Sequence, residues 1–312
     1  MVLKKVGITG ASGMVGRHLL AALFSRGVAC AATSRQRPAV LPPETSWASW
    51  DLEVWKSPKE LDRLFPEVEA IFHVGASVPV PGASDFSSRA IFDANVRSTL
   101  CLGEWAREKQ LPIIFLSGSV VYSDPDRAGI RETDSTGGEG LGGLYGLTKL
   151  LSEQVLALLS RDGLKLCTLR PSSIYGYGLA SRKMITDFLV RASQGKALEL
   201  GPPVDDQVNL IHAADVAEAM LDALIHESWG VFNIGAPRTV TILEVAEACV
   251  FVVGKGRITI LPGQAERPAR VRFGLCSDMA YAKFGFTPKL SLQLGINRMW
   301  QDMNAARRVQ EK

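Results

Sequence analysis

Over the first 175 residues the hydrophobic positions alternate between two patterns. Short continuous apolar runs near residues 6–9, 28–33, 47–52, 70–75, 112–116 and 164–169 read as buried strands. Between them lie segments at residues 14–24, 58–65, 91–110 and 145–159 whose apolar positions recur every three or four residues, the period of an amphipathic helix. Strand and helix in strict alternation predict an α/β fold: a doubly wound parallel sheet with helices on both faces. Beyond residue 175 the pattern becomes mixed. The expected organisation is a principal domain over 1–175, with 208–235 returning to it. A smaller domain over 176–207 and 236–312 would cap it, with the ligand cleft at the carboxyl ends of the strands.

The first strand runs into Gly10-Ala11-Ser12-Gly13-Met14-Val15-Gly16, a turn that opens a helix. Glycine accepts positive φ and lets a ligand approach the backbone. The free N–H groups and dipole of a helix N-terminus attract an anion such as a pyrophosphate. A glycine-rich turn without a ligand is the alternative at this point. In the helix at 145–159, Tyr145 and Lys149 are four residues apart and so share one face. An unperturbed phenol titrates near 10, too high for a base at neutral pH, and a neighbouring ammonium favours its ionised form. Such a pair can pass a proton to or from a substrate oxygen; two surface residues on one helix face would look the same.

In its motifs the chain resembles the extended branch of the short-chain dehydrogenase/reductase superfamily, which holds nucleotide-sugar epimerases, dehydratases and 4-ketoreductases. The matching stretches are Thr9-Gly10 to Gly16 for T-G-x-x-G-x-x-G, Asp51-Leu52, Asn95-Val96-Arg97-Ser98-Thr99, Tyr145 with Lys149, Arg170 to Gly176 for R-P-x-x-V-Y-G, Ile211 to Ala217, and Asn233-Ile234-Gly235. The resemblance implies a Rossmann-type fold that binds NAD or NADP. It assigns the pyrophosphate to Gly10, Ser12, Gly13, Met14, Val15 and Gly16, and the adenine to Asp51 and Leu52. The cofactor would lie along Gly75, Ala76 and Ser77, with Asn95, Pro171, Ser173 and Ile174 completing the set and Tyr145 and Lys149 at the nicotinamide end. Relatives carry an acidic residue at the end of the second strand to hold the ribose; here Ser34 and Arg35 stand there, with Arg37 close by. A guanidinium accepts a 2′-phosphate that a carboxylate would repel, so NADP is expected, with NAD possible. Solvated loop arginines are the alternative.

Three departures bear on the substrate. The catalytic hydroxyl of relatives falls on Gly118, flanked by Ser117 and Ser119, and Ser119 is the favoured substitute. Ser173 replaces an asparagine, and Val208 replaces an arginine four residues before His212. Arg267 keeps the position that binds a diphosphate in relatives, whereas Arg270 replaces an aspartate and is a second candidate substrate ligand.

Composition narrows the picture only a little. With 312 residues, 46% of them hydrophobic, the chain can bury a large core, and a net charge of +3 gives no footprint for nucleic acid or a membrane surface. Five scattered cysteines lack metal-ligand spacing and read as reduced, buried thiols. The glycine motif begins within ten residues of the start and no apolar run approaches a bilayer's width, so a cytoplasmic enzyme is expected. By resemblance a homodimer is expected too, paired through helices lined by Leu100, Leu102, Trp105, Leu151, Val155 and Leu158. The expected activity is Tyr/Lys-assisted hydride transfer at a hydroxyl or keto carbon of a sugar-like, nucleotide-linked small molecule. A reductase of a non-sugar carbonyl and a non-catalytic dinucleotide sensor are the rivals.

Overall fold

The computed structural model describes residues 3–79, 87–138, 140, 142–263 and 267–310. Seven parallel strands form the central sheet: β1 (Lys5–Thr9), β2 (Ala29–Ser34), β3 (Thr45–Ser49), β4 (Ile71–His73), β5 (Ile113–Leu116), β6 (Leu166–Pro171) and β7 (Gly230–Ile234). Their spatial order is β7-β6-β5-β4-β1-β2-β3, so the direction of winding reverses between β1 and β4. A crevice at the carboxyl ends of these two strands is where an open α/β sheet takes its ligand. The inner strands β1, β2, β4, β5 and β6 are almost wholly buried, as expected of a parallel sheet covered on both faces, whereas the edge strand β3 is partly exposed.

Helix α1 (Met14–Phe24) follows β1 and packs on one face against α6 (Ala213–Ile225). Helices α2 (Pro58–Leu64), α3 (Ser98–Glu108) and α4 (Gly143–Arg161) cover the other face. A capping box between Ser57 and Glu60 sets the start of α2. One wide, π-type turn at Asp93–Arg97 leads into α3. Two separate apolar cores flank the sheet, and a third lies in the C-terminal lobe, where α5 (Met184–Ser193) and α7 (Ile242–Val253) pack together with Ile296 and Met299.

Several sequence expectations change. Of 208–235, only Gly230–Ile234 joins the central sheet; Leu210–His212 pairs with Ser173–Tyr175, and Gln207–Val208 lies between Val240–Thr241 and Val271–Arg272. Ala128–Ile130 forms a short strand paired with Gly274–Leu275, so the C-terminal lobe reaches back to the segment between β5 and α4. Leu102 and Trp105 are buried against the sheet, which removes them from any helix-bundle surface, while Leu158 stays exposed. The proline-rich segment at 78–82, which the sequence reads as a loop over the substrate side, lies at 80–82 outside the described residues. Four of the five cysteines are buried and all are free thiols. Among the described residues no helix is long and apolar enough to cross a membrane, and no cluster of metal-binding side chains occurs.

Candidate active site

The glycine turn fits a dinucleotide by the space it leaves. Gly10 takes φ +71°, and a β-carbon there would stand 2.5 Å from the Gly75 Cα, closing the crevice between β1 and β4. A β-carbon on Gly16 would stand 2.2 Å from the Gly10 carbonyl oxygen, so that glycine lets α1 start tight against the turn. No side chain caps α1, and no acidic residue lies in its first turn. Its amides therefore face the cleft with the electrostatics that suit a pyrophosphate. Gly10, Ser12, Gly13, Met14, Val15, Ser34, Arg35, Asp51, Leu52, Gly75, Ala76 and Ser77 all line one cavity of about 640 Å³, which ends at Tyr145 and Lys149. That fits an extended NAD or NADP molecule.

Not every residue assigned to the cofactor touches that cavity. Gly16 sits behind the turn. Asn95 is buried one layer back: its amide oxygen accepts the Ser77 N–H at 2.7 Å, and its nitrogen donates to the Ser77 carbonyl and the Thr148 hydroxyl, each at 3.0 Å. It fastens the cofactor-side loop to α4. Ser34 lines the cavity, but its hydroxyl donates to the Gln36 carbonyl at 2.6 Å and accepts from the Trp47 indole at 3.0 Å. The loop shape uses Ser34, and Arg35 is left as the exposed cation. Asp51 accepts the Glu53 N–H at 3.1 Å, so it shapes a turn as well as facing the cleft.

A second cavity, of about 540 Å³, lies under the C-terminal lobe, and Ser117, Tyr145 and Ile174 border both. Pro171 and Ser173 line this second cleft only. Tyr145 therefore stands where the two spaces meet. Its hydroxyl makes no hydrogen bond among the described residues, which leaves it free for a ligand. Burial pushes the phenol up to about 12. Lys149 is 2% exposed, with its Nζ 4.1 Å from the centre of the Phe115 ring. Desolvation pulls the ammonium down to about 7, against the opposing pull of Glu153. Burial thus acts on both groups in the same sense, away from their charged forms. Apolar surroundings that disfavour both charges are the cause.

Of the flanking serines, Ser117 is committed. Its hydroxyl bonds the Glu153 carboxylate, which also pairs with Arg170 at 2.6 Å, all three being buried. Tyr122 completes the network through Arg170 and, at 2.6 Å, Asn233. Ser119 borders the second cleft and makes no side-chain hydrogen bond among the described residues, so it is the available hydroxyl. A β-carbon at Gly118 would meet nothing closer than 3.5 Å, so the missing side chain leaves open space. Glu153 was legible in principle: Tyr145, Lys149 and Glu153 follow one helix face at intervals of four. Glu153→Ala is expected to cost about 3–5 kcal/mol of unfolding free energy in a chemical melt, because it strands the buried Arg170 charge. A loss below about 1 kcal/mol would contradict that reading.

His73 and His212 are core groups. His73 lies between the hydroxyls of Thr9 and Thr99, at 2.7 and 2.8 Å, and burial pulls it down to about 3. His212 caps α6 through the Ala214 N–H. Arg267 lines neither cavity: it is bound to Asp206, whereas Arg270 faces the second cleft. Lys183, Asp206 and Arg272 also face that cleft and were missed, because only the fold brings these three distant segments together.

Comparison with known proteins shows the family and the fold. The model of the NAD dependent epimerase/dehydratase family matches residues 6–235. A dTDP-4-dehydro-6-deoxy-D-allose reductase from a Streptomyces species is 26% identical, over 80% of this chain and 81% of its own length. The UDP-glucose 4-epimerase of Azospirillum brasilense is 26% identical, over 94% and 90%. The UDP-glucose 4-epimerase of Thermus thermophilus, solved with NAD, superposes with a TM-score of 0.79 at 22% identity, covering 97% of this chain and 99% of that one. At that identity the superposition establishes the fold.

Proposed function

The chain belongs to the NAD-dependent epimerase/dehydratase family, and on that premise we propose that it oxidises or reduces a hydroxyl or keto carbon of a nucleotide-linked sugar, with Tyr145 as proton carrier. The observation that carries this reading is the position of Tyr145, unbonded, at the meeting point of the two cavities. When bound, the dinucleotide supplies hydride acceptance and donation. The chain's residues do the rest. Lys149 closes the nicotinamide end of the first cavity. Ser119 offers a hydrogen bond to the reacting oxygen. Tyr145 gives its proton to that oxygen as a carbonyl is reduced, and takes one from the hydroxyl in the opposite direction.

A phenol held at about 12 is protonated throughout an ordinary assay range. Reduction is therefore expected to be flat between about pH 8 and 10, above the range near 7 where Lys149 changes charge and below the phenol's own titration, whereas oxidation should rise with pH because the phenol must first lose its proton. Reduction that falls steeply over that range, with protein and cofactor intact, would place the proton on another group.

Arg35 supports NADP as the cofactor. Titration with both reduced cofactors is the test of this reading: NADPH should bind at least about tenfold more tightly than NADH, and Arg35→Ala should erase the difference. Tighter NADH binding would reverse the assignment and favour an epimerase that keeps its cofactor. The dinucleotide-sensor reading leaves the free Tyr145 hydroxyl and the second cleft without a use.

A further inference from the structure

The second cleft carries positive charge where the family resemblance does not put it. Arg267, the position expected to hold a diphosphate, spends its guanidinium on Asp206, Nη1 to Oδ1 at 2.8 Å and Nη2 to Oδ2 at 2.5 Å. Asp206 also accepts the Arg270 N–H at 2.9 Å. This pairing pins the segment at 267–272 to the lobe and leaves Arg267 outside the lining. The other arginine of relatives is Val208 here. In the strand register Val208 pairs with Arg272, and paired residues in neighbouring strands project to the same side of a sheet. Arg272 thus brings a guanidinium from the adjacent strand to the place where Val208 has none. Arg270 and Arg272 share one carboxylate, Asp126, at 3.5 and 3.1 Å. Asp126 is not part of the lining, so it braces the two side chains and leaves one positive charge unmatched. Lys183, just before α5, borders the same cleft, is exposed and forms no ion pair among the described residues.

Resting on the reading of a nucleotide-linked substrate, we propose that its diphosphate is gripped by Arg272 and Arg270 with Lys183, and that Arg267 is a positioning residue for that segment. Guanidinium forks suit phosphoryl oxygens in paired contacts, and the lysine adds a point charge. The cleft reaches an anion by a different route from the one its motif suggests.

The test is calorimetric titration of inorganic pyrophosphate, and separately of UDP and dTDP, into protein already saturated with NADPH, so that the cofactor cleft cannot take the probe. Arg272→Met and Lys183→Met should each weaken pyrophosphate binding about tenfold or more. Arg267→Met should change it by no more than about threefold. Lys183→Met alters an exposed side chain without ionic partners among the described residues, so it reports on binding even if an arginine variant folds poorly. Wild-type protein that binds no pyrophosphate overturns the proposal. So does binding lost in Arg267→Met but kept in Arg272→Met and Lys183→Met. Pyrophosphate binding that follows the prediction, with UDP and dTDP no tighter than pyrophosphate, leaves the anion site standing and removes the nucleotide-linked reading.

Discussion

Tyr145→Phe is expected to lower kcat by about 10³-fold while leaving NADPH affinity within about threefold. The variant deletes one oxygen. That oxygen makes no hydrogen bond among the described residues, so its loss strands no partner and should leave the melting temperature nearly unchanged. What disappears is the only phenol among the described residues that borders both cavities. Without it, the proton must travel through water or through Ser119. A serine hydroxyl can donate a hydrogen bond to the reacting oxygen but is a poor proton source for it. Loss of kcat and kcat/KM by the same factor is the signature of a group used in the transition state rather than in binding. Turnover in Tyr145→Phe within about tenfold of wild type would remove Tyr145 from the mechanism.

Gly10→Ala is expected to abolish measurable cofactor binding and to lower thermal stability, for two reasons that add. The residue sits at φ +71°, where an alanine carries a strain of about 1–2 kcal/mol. The new methyl would also lie 2.5 Å from the Gly75 Cα and 2.6 Å from its nitrogen, both backbone atoms of the opposite wall. Relief requires β1 and β4 to part at their carboxyl ends, and that is the floor of the dinucleotide cleft. Affinity for NADPH should fall at least about 100-fold, since misplacing the turn disturbs several pyrophosphate contacts together. Near-normal affinity would mean that the cofactor does not lie across this turn. Gly129 gives the control: it has the same φ of +71° in open space, so Gly129→Ala should carry the strain without the binding loss.

The two variants probe the parts of the site that were legible for different reasons. The glycine turn could be read because its constraint is local: three glycines, a strand and a helix lie within twenty residues. Tyr145 and Lys149 could be read because a helix makes a spacing of four into a shared face. The alternating strands and helices showed the doubly wound sheet in the same way. What escaped was set by long-range pairing. Asp206 holding Arg267, Asp126 bracing Arg270 and Arg272, and Arg272 beside Val208 each join segments at least sixty residues apart. Ser34 shows a subtler limit. Its place at the end of β2 was right, but the Trp47 indole and the Gln36 carbonyl occupy its hydroxyl. Tyr145 and Lys149 show another limit: the sequence places an ammonium near the phenol, whereas the burial that disfavours both charges comes from the fold.

The most direct test of the central claim is the fate of deuterium placed at the reacting carbon. UDP- and dTDP-hexoses deuterated at their ring carbinol positions, and their keto forms supplied with NADPH deuterated at the transferred position, would be incubated with the protein and the products read by NMR. The account predicts that deuterium passes from the carbinol carbon to the cofactor on oxidation, returns to a carbon bearing oxygen where the cofactor is kept, and arrives there from the deuterated NADPH on reduction, and that this transfer disappears in Tyr145→Phe. Product that carries solvent hydrogen at that carbon, or no product from either series, would contradict it.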